Sequence, residues 1–188
     1  MKMKFSLTMM KFLVARKNLN NIRPTLKIKI FSLVGIIIMV LLDQVIKYFV
    51  NIYLKPIGSF VIVPKVLSLT YLENDGAMLG MMGGKTLTMT IAAVVCVCVI
   101  LFVIFSGKVK FGIDYCCIVF MAAGGLGNII DRITLGYVID YIEFLFVDFY
   151  VFNFADCLVT FAAFVMIFYQ IYLAVKESKE KKEKQENG

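Results

Sequence analysis

Four apolar runs, each long enough to cross about 30 Å of hydrocarbon as a helix, dominate this sequence and leave it few ways to fold. They lie at 28–53, 87–105, 113–133 and 154–175. Of the 188 residues 61% are hydrophobic, against roughly 45–50% in soluble domains. A globule of this length lacks the interior to hide so many, so lipid must cover them. The expected fold is an all-α membrane protein of four transmembrane helices. The segment between the first two runs, residues 54–85, differs in character. It is rich in β-branched and aromatic residues and is interrupted by Pro56, Gly58 and Pro64. It reads as a small extracytoplasmic β-rich cradle between the first and second helices, at the membrane surface.

The net charge is +7. In a soluble chain that would suggest nucleic acid. Here the basic residues flank apolar runs, so a charged membrane surface is the better partner and no nucleic acid is expected. Residues 1–27 form a basic arm that includes Lys2, Lys4, Lys11, Arg16, Lys17, Arg23 and Lys27 and carries no acid. The turn after the second run has Lys108 and Lys110, and the tail, residues 176–188, alternates lysine and glutamate as a solvated, frayed helix would. Basic segments stay inside, so both termini are expected in the cytoplasm. The loop before the fourth run carries Asp140, Glu143 and Asp148 without lysine, so that loop and 54–85 face outward. The opening MKMKFSLTMMKF is followed by ARKNLNNIRP rather than by a small-residue cleavage site, and reads as part of the arm. The unit expected to fold in the membrane is 28–175.

There is no histidine, which removes zinc-protease and Ser–His–Asp chemistry. Cys96, Cys98, Cys116, Cys117 and Cys157 lie in or beside apolar runs without metal or redox spacing. They read as inert buried thiols, and Cys157 has no histidine to activate it. The aspartates are harder to dismiss. Asp43, Asp75, Asp131, Asp140 and Asp156 stand in or beside the apolar runs, where a carboxylate is costly unless paired, hydrated or protonated. Asp43 and Lys47 are spaced i,i+4 and can neutralise each other. Asp131 precedes Arg132, an expected ion-pair partner. Asp140 has no basic neighbour in sequence and apolar surroundings that would raise its pKa. Asp156 opens the fourth run, where a helix N-terminus favours negative charge. Two carboxyls in unlike environments can share one proton, one activating water and the other protonating the leaving group. Asn128 and Asn153 each precede an aspartate by three residues, a same-face spacing on a helix. Their amides could hold a carboxylate or a substrate backbone, or simply satisfy polar groups between helices. Gly124, Gly125 and Gly127 read as close helix contacts.

These motifs resemble those of lipoprotein signal peptidase, or signal peptidase II. The matching segments are DQVIK at 43–47, NDGAMLG at 74–80, GGLGNIIDRITLGYVIDYIEF at 124–144 and FNFAD at 152–156. They occur in the family's order, and the likeness spans residues 30–175. It implies an aspartic endopeptidase of the bacterial inner membrane, a monomer in contact with membrane lipid, with its active site near the outer face. It would cleave prolipoproteins that carry diacylglyceryl on a cysteine, just N-terminal to that cysteine. The resemblance makes Asp140 and Asp156 the catalytic pair and Asp43, Lys47, Asn74, Gly76, Asn128, Asp131, Arg132 and Asn153 supporting residues. No metal or cofactor is required, since two carboxylates and a water complete the reaction. Leu79, Asp75 and Cys157 depart from the family's usual residues and bear on substrate preference. The rival reading is a small ion- or proton-coupled transporter, which would show an internal repeat or helices broken at mid-membrane. Neither is present in the sequence. A catalytically dead, lipoprotein-binding relative would lack Asp140 or Asp156, and both are here.

Overall fold

The computed structural model describes residues 22–76, 86–147 and 150–186. Most of the basic arm, Leu79 and Asp148 lie outside the described residues. Among the described residues four helices are long and apolar enough to cross a membrane: α1 (Leu26–Phe49), α2 (Thr86–Ser106), α3 (Ile113–Thr134) and α4 (Phe154–Glu186). Their boundaries fall close to those expected, except that α4 runs through the charged tail. Lys176 and Glu180 pair along it at 3.8 Å. Three strands complete the described residues, β1 (Ser59–Val63), β2 (Leu67–Asn74) and β3 (Val138–Phe144).

α3 is the central helix and packs against the other three. Its stripe of small residues allows this. A Cβ on Gly124 would collide with the carbonyl oxygen of Ala155 on α4, and one on Gly127 would lie 2.6 Å from Asp43 Oδ2 on α1. The expected close helix contacts are therefore real. The core joins Ile36 of α1, Ile104 of α2, Tyr115, Val119, Ala122 and Ala123 of α3, and Leu158 of α4. Elsewhere the helices turn large apolar side chains outward, among them Phe31, Phe102 and Phe168, as lipid-facing surfaces should. Four of the five cysteines join that outer surface and only Cys117 is buried. The expectation of buried thiols is thereby corrected: in lipid an apolar side chain has no reason to turn inward.

α1 does not stop at its end but widens into a single π turn, Val50–Leu54, that leads into the sheet. The strand order is β1-β2-β3, antiparallel throughout. The first two strands come from the segment expected to form the cradle; the third comes from the loop between α3 and α4. Beyond β3, Phe152 bridges back to Ile142 through hydrogen bonds of 2.7 and 2.8 Å. That return sets the start of α4 against β3. The sheet, the C-terminal ends of α1 and α3 and the N-terminal end of α4 thus meet at one end of the bundle.

Candidate active site

At this junction the chain buries an unusual concentration of charge. Lys47, Asp43, Asp131 and Asp140 are each 1–2% exposed and Asn153 is fully buried. Such groups persist in an apolar interior only when their hydrogen-bonding capacity is met, and the contacts are accordingly dense. Lys47 Nζ lies 2.9 Å from Asp43 Oδ2 and 2.9 Å from Asp131 Oδ2. It also donates to Asn128 Oδ1 at 3.0 Å. Gln44 Nε2 donates to Asp131 Oδ1 at 2.9 Å and to Asp43 Oδ2 and the Gly127 carbonyl at 3.2 Å. Backbone N–H groups of Ala155 and Ile139 donate to Asp43 Oδ1 and Asp131 Oδ2. This cluster ties α1 and α3 to β3 and the first turn of α4.

The expected Asp43–Lys47 pair is present, but Asp131 takes Lys47 as its partner and not Arg132. Consecutive helical residues point about 100° apart, so i and i+1 do not face each other. Among the described residues Arg132 instead leaves its buried Nε without a hydrogen-bond partner. It lines a cleft of about 290 Å³ with Asn74, Gly76, Met89 and Tyr150.

Beside the cluster sit Asp140 and Asp156. Asn74 pairs with Val138 in the β2–β3 register, which makes Asp140 its diagonal neighbour on the same face. Asn74 Nδ2 donates to Asp140 Oδ2 at 2.7 Å, and its Oδ1 accepts from the Gly76 N–H at 2.9 Å. Gly76 has φ +83°, a conformation glycine adopts without steric cost. Asn153 Nδ2 donates to Asp140 Oδ1 at 2.6 Å. Asn153 is also the N-cap of α4: its Oδ1 accepts from the Asp156 N–H at 2.9 Å while Asp156 Oδ2 accepts from the Asn153 N–H at 3.2 Å. The two residues form a reciprocal capping box, so the i,i+3 spacing does join them. Asn128 behaves otherwise. It reaches across to α4, donating to Asp156 Oδ1 at 2.7 Å and accepting from Asn153 Nδ2 at 3.0 Å. Burial pushes the Asp140 carboxyl up to about 6, and the charge of nearby Asp156 acts in the same direction against the two amide donors.

All ten expected site residues therefore meet at one end of the bundle, Arg132 on the cleft side. The sequence reasoning missed two. Gln44 bridges Asp43 and Asp131, and its place beside Asp43 in the DQVIK segment could have signalled it. Tyr141 is buried, and its hydroxyl accepts from the Phe154 N–H at 3.1 Å, supporting the start of α4. Its position in a run of buried strand residues carried no such signal. Chemically, the site offers two carboxyls held by amides and joined through Asn128 and Asn153. A cleft opens beside one of them.

Comparison with known proteins agrees with this geometry. A family model described as signal peptidase (SPase) II matches residues 35–172. The chain is 36% identical over 141 residues to the lipoprotein signal peptidase of Caldanaerobacter subterraneus subsp. tengcongensis, covering 75% of this chain and 96% of that one. It is 35% identical over 147 residues to that of Clostridioides difficile strain 630, covering 78% and 96%. Two solved structures described as bacterial membrane enzymes superpose with TM-scores of 0.66 at 29% and 30% identity. They cover 76% and 74% of this chain and 88% and 92% of their own. α2, α3, the larger part of α1 and α4, the sheet that carries Asp140 and the capping box that carries Asp156 lie within the matched region, and this chain is a bacterial membrane protein of the signal peptidase II family.

Proposed function

We propose that this chain removes signal peptides from prolipoproteins as an aspartic endopeptidase, with Asp140 and Asp156 as its catalytic pair. One observation carries the assignment: two carboxyls from different elements, one on β3 and one on α4, are linked through the same two asparagine amides beside a cleft. No coupled-transport reading accounts for that arrangement, and the two relatives described above are lipoprotein signal peptidases by name. In the reaction one carboxylate takes a proton from water as the water oxygen bonds to the scissile carbonyl carbon. The other, protonated, donates to the carbonyl oxygen. Collapse of the tetrahedral centre breaks the C–N bond; the proton taken from water goes to the departing amine, and the re-forming carbonyl returns its proton to the carboxylate that donated it. Asn74, Asn128 and Asn153 hold the two carboxyls, while Gly76 shapes the turn beside Asp140. The Asp43–Lys47–Asp131 cluster braces the elements that carry them. Arg132 supplies donors to a substrate in the cleft.

The substrate is read as a prolipoprotein with a diacylglyceryl-modified cysteine, cut just before that cysteine. Its lipid chains would remain among membrane lipid beside the apolar faces of the helices. The peptidase unit is 28–175, flanked by a cytoplasmic arm and tail. It works as a monomer in the bacterial cytoplasmic membrane, with the pair near the outer face. The discriminating experiment presents purified protein in lipid nanodiscs with a diacylglyceryl-modified prolipoprotein and its unmodified counterpart. Cleavage of the lipidated form alone is expected. Equal cleavage of both, or of neither, contradicts the substrate assignment.

A further inference from the structure

Building on the reading of Asp140 and Asp156 as the catalytic pair, we infer that Asp156 holds the negative charge and Asp140 the proton, and that Lys47 enforces this order by fixing which way the Asn128 amide faces. An ammonium has three donors and no acceptor. In this site they meet three acceptors: Asp43, Asp131 and Asn128 Oδ1. Neutralising two aspartates would not require the third contact. Its consequence is directional, because a carbonyl oxygen held against the ammonium turns the other end of the Asn128 amide, the NH2 group, onto Asp156 Oδ1. A reversed amide would set its NH2 against two donors, Lys47 and Asn153, and its oxygen against a carboxylate.

Asn153 reinforces the same order. Its oxygen is committed to the backbone N–H of Asp156, so its NH2 must face Asn128 and Asp140. Asp156 then accepts from an amide whose direction Lys47 sets and from a backbone N–H that can only donate. It does so in the first turn of α4, where the helix terminus favours an anion. Asp140 lies on a strand and, among the described residues, accepts from side-chain amides, those of Asn74 and Asn153. The titratable and charged groups facing Asp156 are Lys47 from α1, Arg132 from α3, Asp140 and Tyr141 from β3, and Cys157 on α4 itself, with Asp43 and Asp131 held against Lys47. Of these, Asp140 reaches Asp156 through Asn153, and Lys47 is the cation that reaches it through a hydrogen-bonded intermediary, Asn128. Lys47 is thus a positioning residue, acting on the water-activating carboxylate through Asn128.

The test is the pH profile of cleavage. The double variant Lys47→Met/Asp43→Asn removes the donor and one aspartate, so the cluster keeps its net charge of −1 (before, +1 −1 −1; after, −1 from Asp131). We expect kcat to fall about a hundredfold, the lower end of what a positioned acid–base contributes, with KM changing far less. The acid limb should move to higher pH, because ionised Asp156 has lost an oriented donor. Adding Asn128→Ala should then cost nothing further. An unmoved acid limb, or losses that multiply, would overturn the inference and leave Lys47 as a brace alone. Should the double variant fail to fold, Asn128→Asp decides. It keeps the oxygen that Lys47 holds and turns a second oxygen toward Asp156, so the acid limb must again rise, and an unmoved limb overturns the inference. Asp140→Asn and Asp156→Asn, assayed alongside, separate the two levels: cleavage surviving in either variant sinks the pair itself, whereas loss in both leaves only the relay at issue.

Discussion

Asp140 shows how much one side chain's surroundings decide. Burial raises its carboxyl to about 6, and the amides of Asn74 and Asn153 oppose that rise by donating to the ionised form. A carboxyl raised in this way is protonated below its pKa and loses the proton as pH climbs through it. In a proton-sharing pair that loss sets the alkaline limb of activity. Asn74→Ala removes a donor that favours ionised Asp140, so the proton is held to higher pH. The alkaline limb of kcat/KM should therefore shift upward relative to wild type, in a series measured from pH 4 to 9. Residue chemistry of this kind was partly legible beforehand. That Asp140 lacks a basic neighbour and that Asp156 opens a helix can be read from the chain. The partner of Asp131 cannot, because Lys47 is 84 residues away in sequence and only the packing of α1 on α3 brings it near.

The elements meet through two kinds of join, and these should differ sharply in strength. On the outer surface Lys55 pairs with Glu73 at 2.7 Å and lies over the Tyr71 ring, tying the region after the π turn to β2. Both charged side chains of that pair are more than 40% exposed, and exposed pairs contribute about 0–1 kcal/mol. Lys47 joins α1 to α3 without solvent, and stripping one partner from a buried pair costs about 3–5 kcal/mol. Thermal unfolding in detergent should accordingly show Lys55→Ala close to wild type and Lys47→Ala strongly destabilised. The glycines of α3 give a graded series. Gly124→Ala drives a methyl into the Ala155 backbone, which cannot yield, whereas Gly125→Ala meets only Val97 Cγ2. Gly35→Ala meets nothing within 4 Å. Overpacking costs about 1–3 kcal/mol, so the loss of melting temperature should rank Gly124 above Gly125 above Gly35. Gly124→Ala should also slow cleavage, since Ala155 sits in the turn that positions Asp156. At this scale the four helices were legible because a membrane span needs only length and apolarity. β3 was not. Four of its seven residues, Val138 to Tyr141, are buried in succession, so it lacks the alternation that marks a half-exposed strand.

At the scale of the whole molecule, the fold sorts one set of forces by place. Apolar side chains that a soluble protein would bury cover the outside of the bundle. Polar groups are gathered at one end, where, among the described residues, every buried side-chain polar atom but Arg132 Nε has a partner. Even the cysteines follow this rule. Because Cys96, Cys98, Cys116 and Cys157 lie on the outer surface, a membrane-permeant maleimide should label them in intact membranes, while a charged thiol reagent should label them poorly. Labelling by both reagents at equal rates would contradict a lipid-facing placement. The same logic bears on the proposed catalytic pair, since Asp140 and Asp156 are brought near each other by the sheet, the spans and the bridge from Ile142 to Phe152 together. The most direct test measures cleavage of a diacylglyceryl-modified prolipoprotein by wild type, Asp140→Asn and Asp156→Asn, each inserted and folded in the same nanodiscs. Cleavage by wild type and none above background by either variant is the predicted result. Wild-type turnover in either variant would contradict the account.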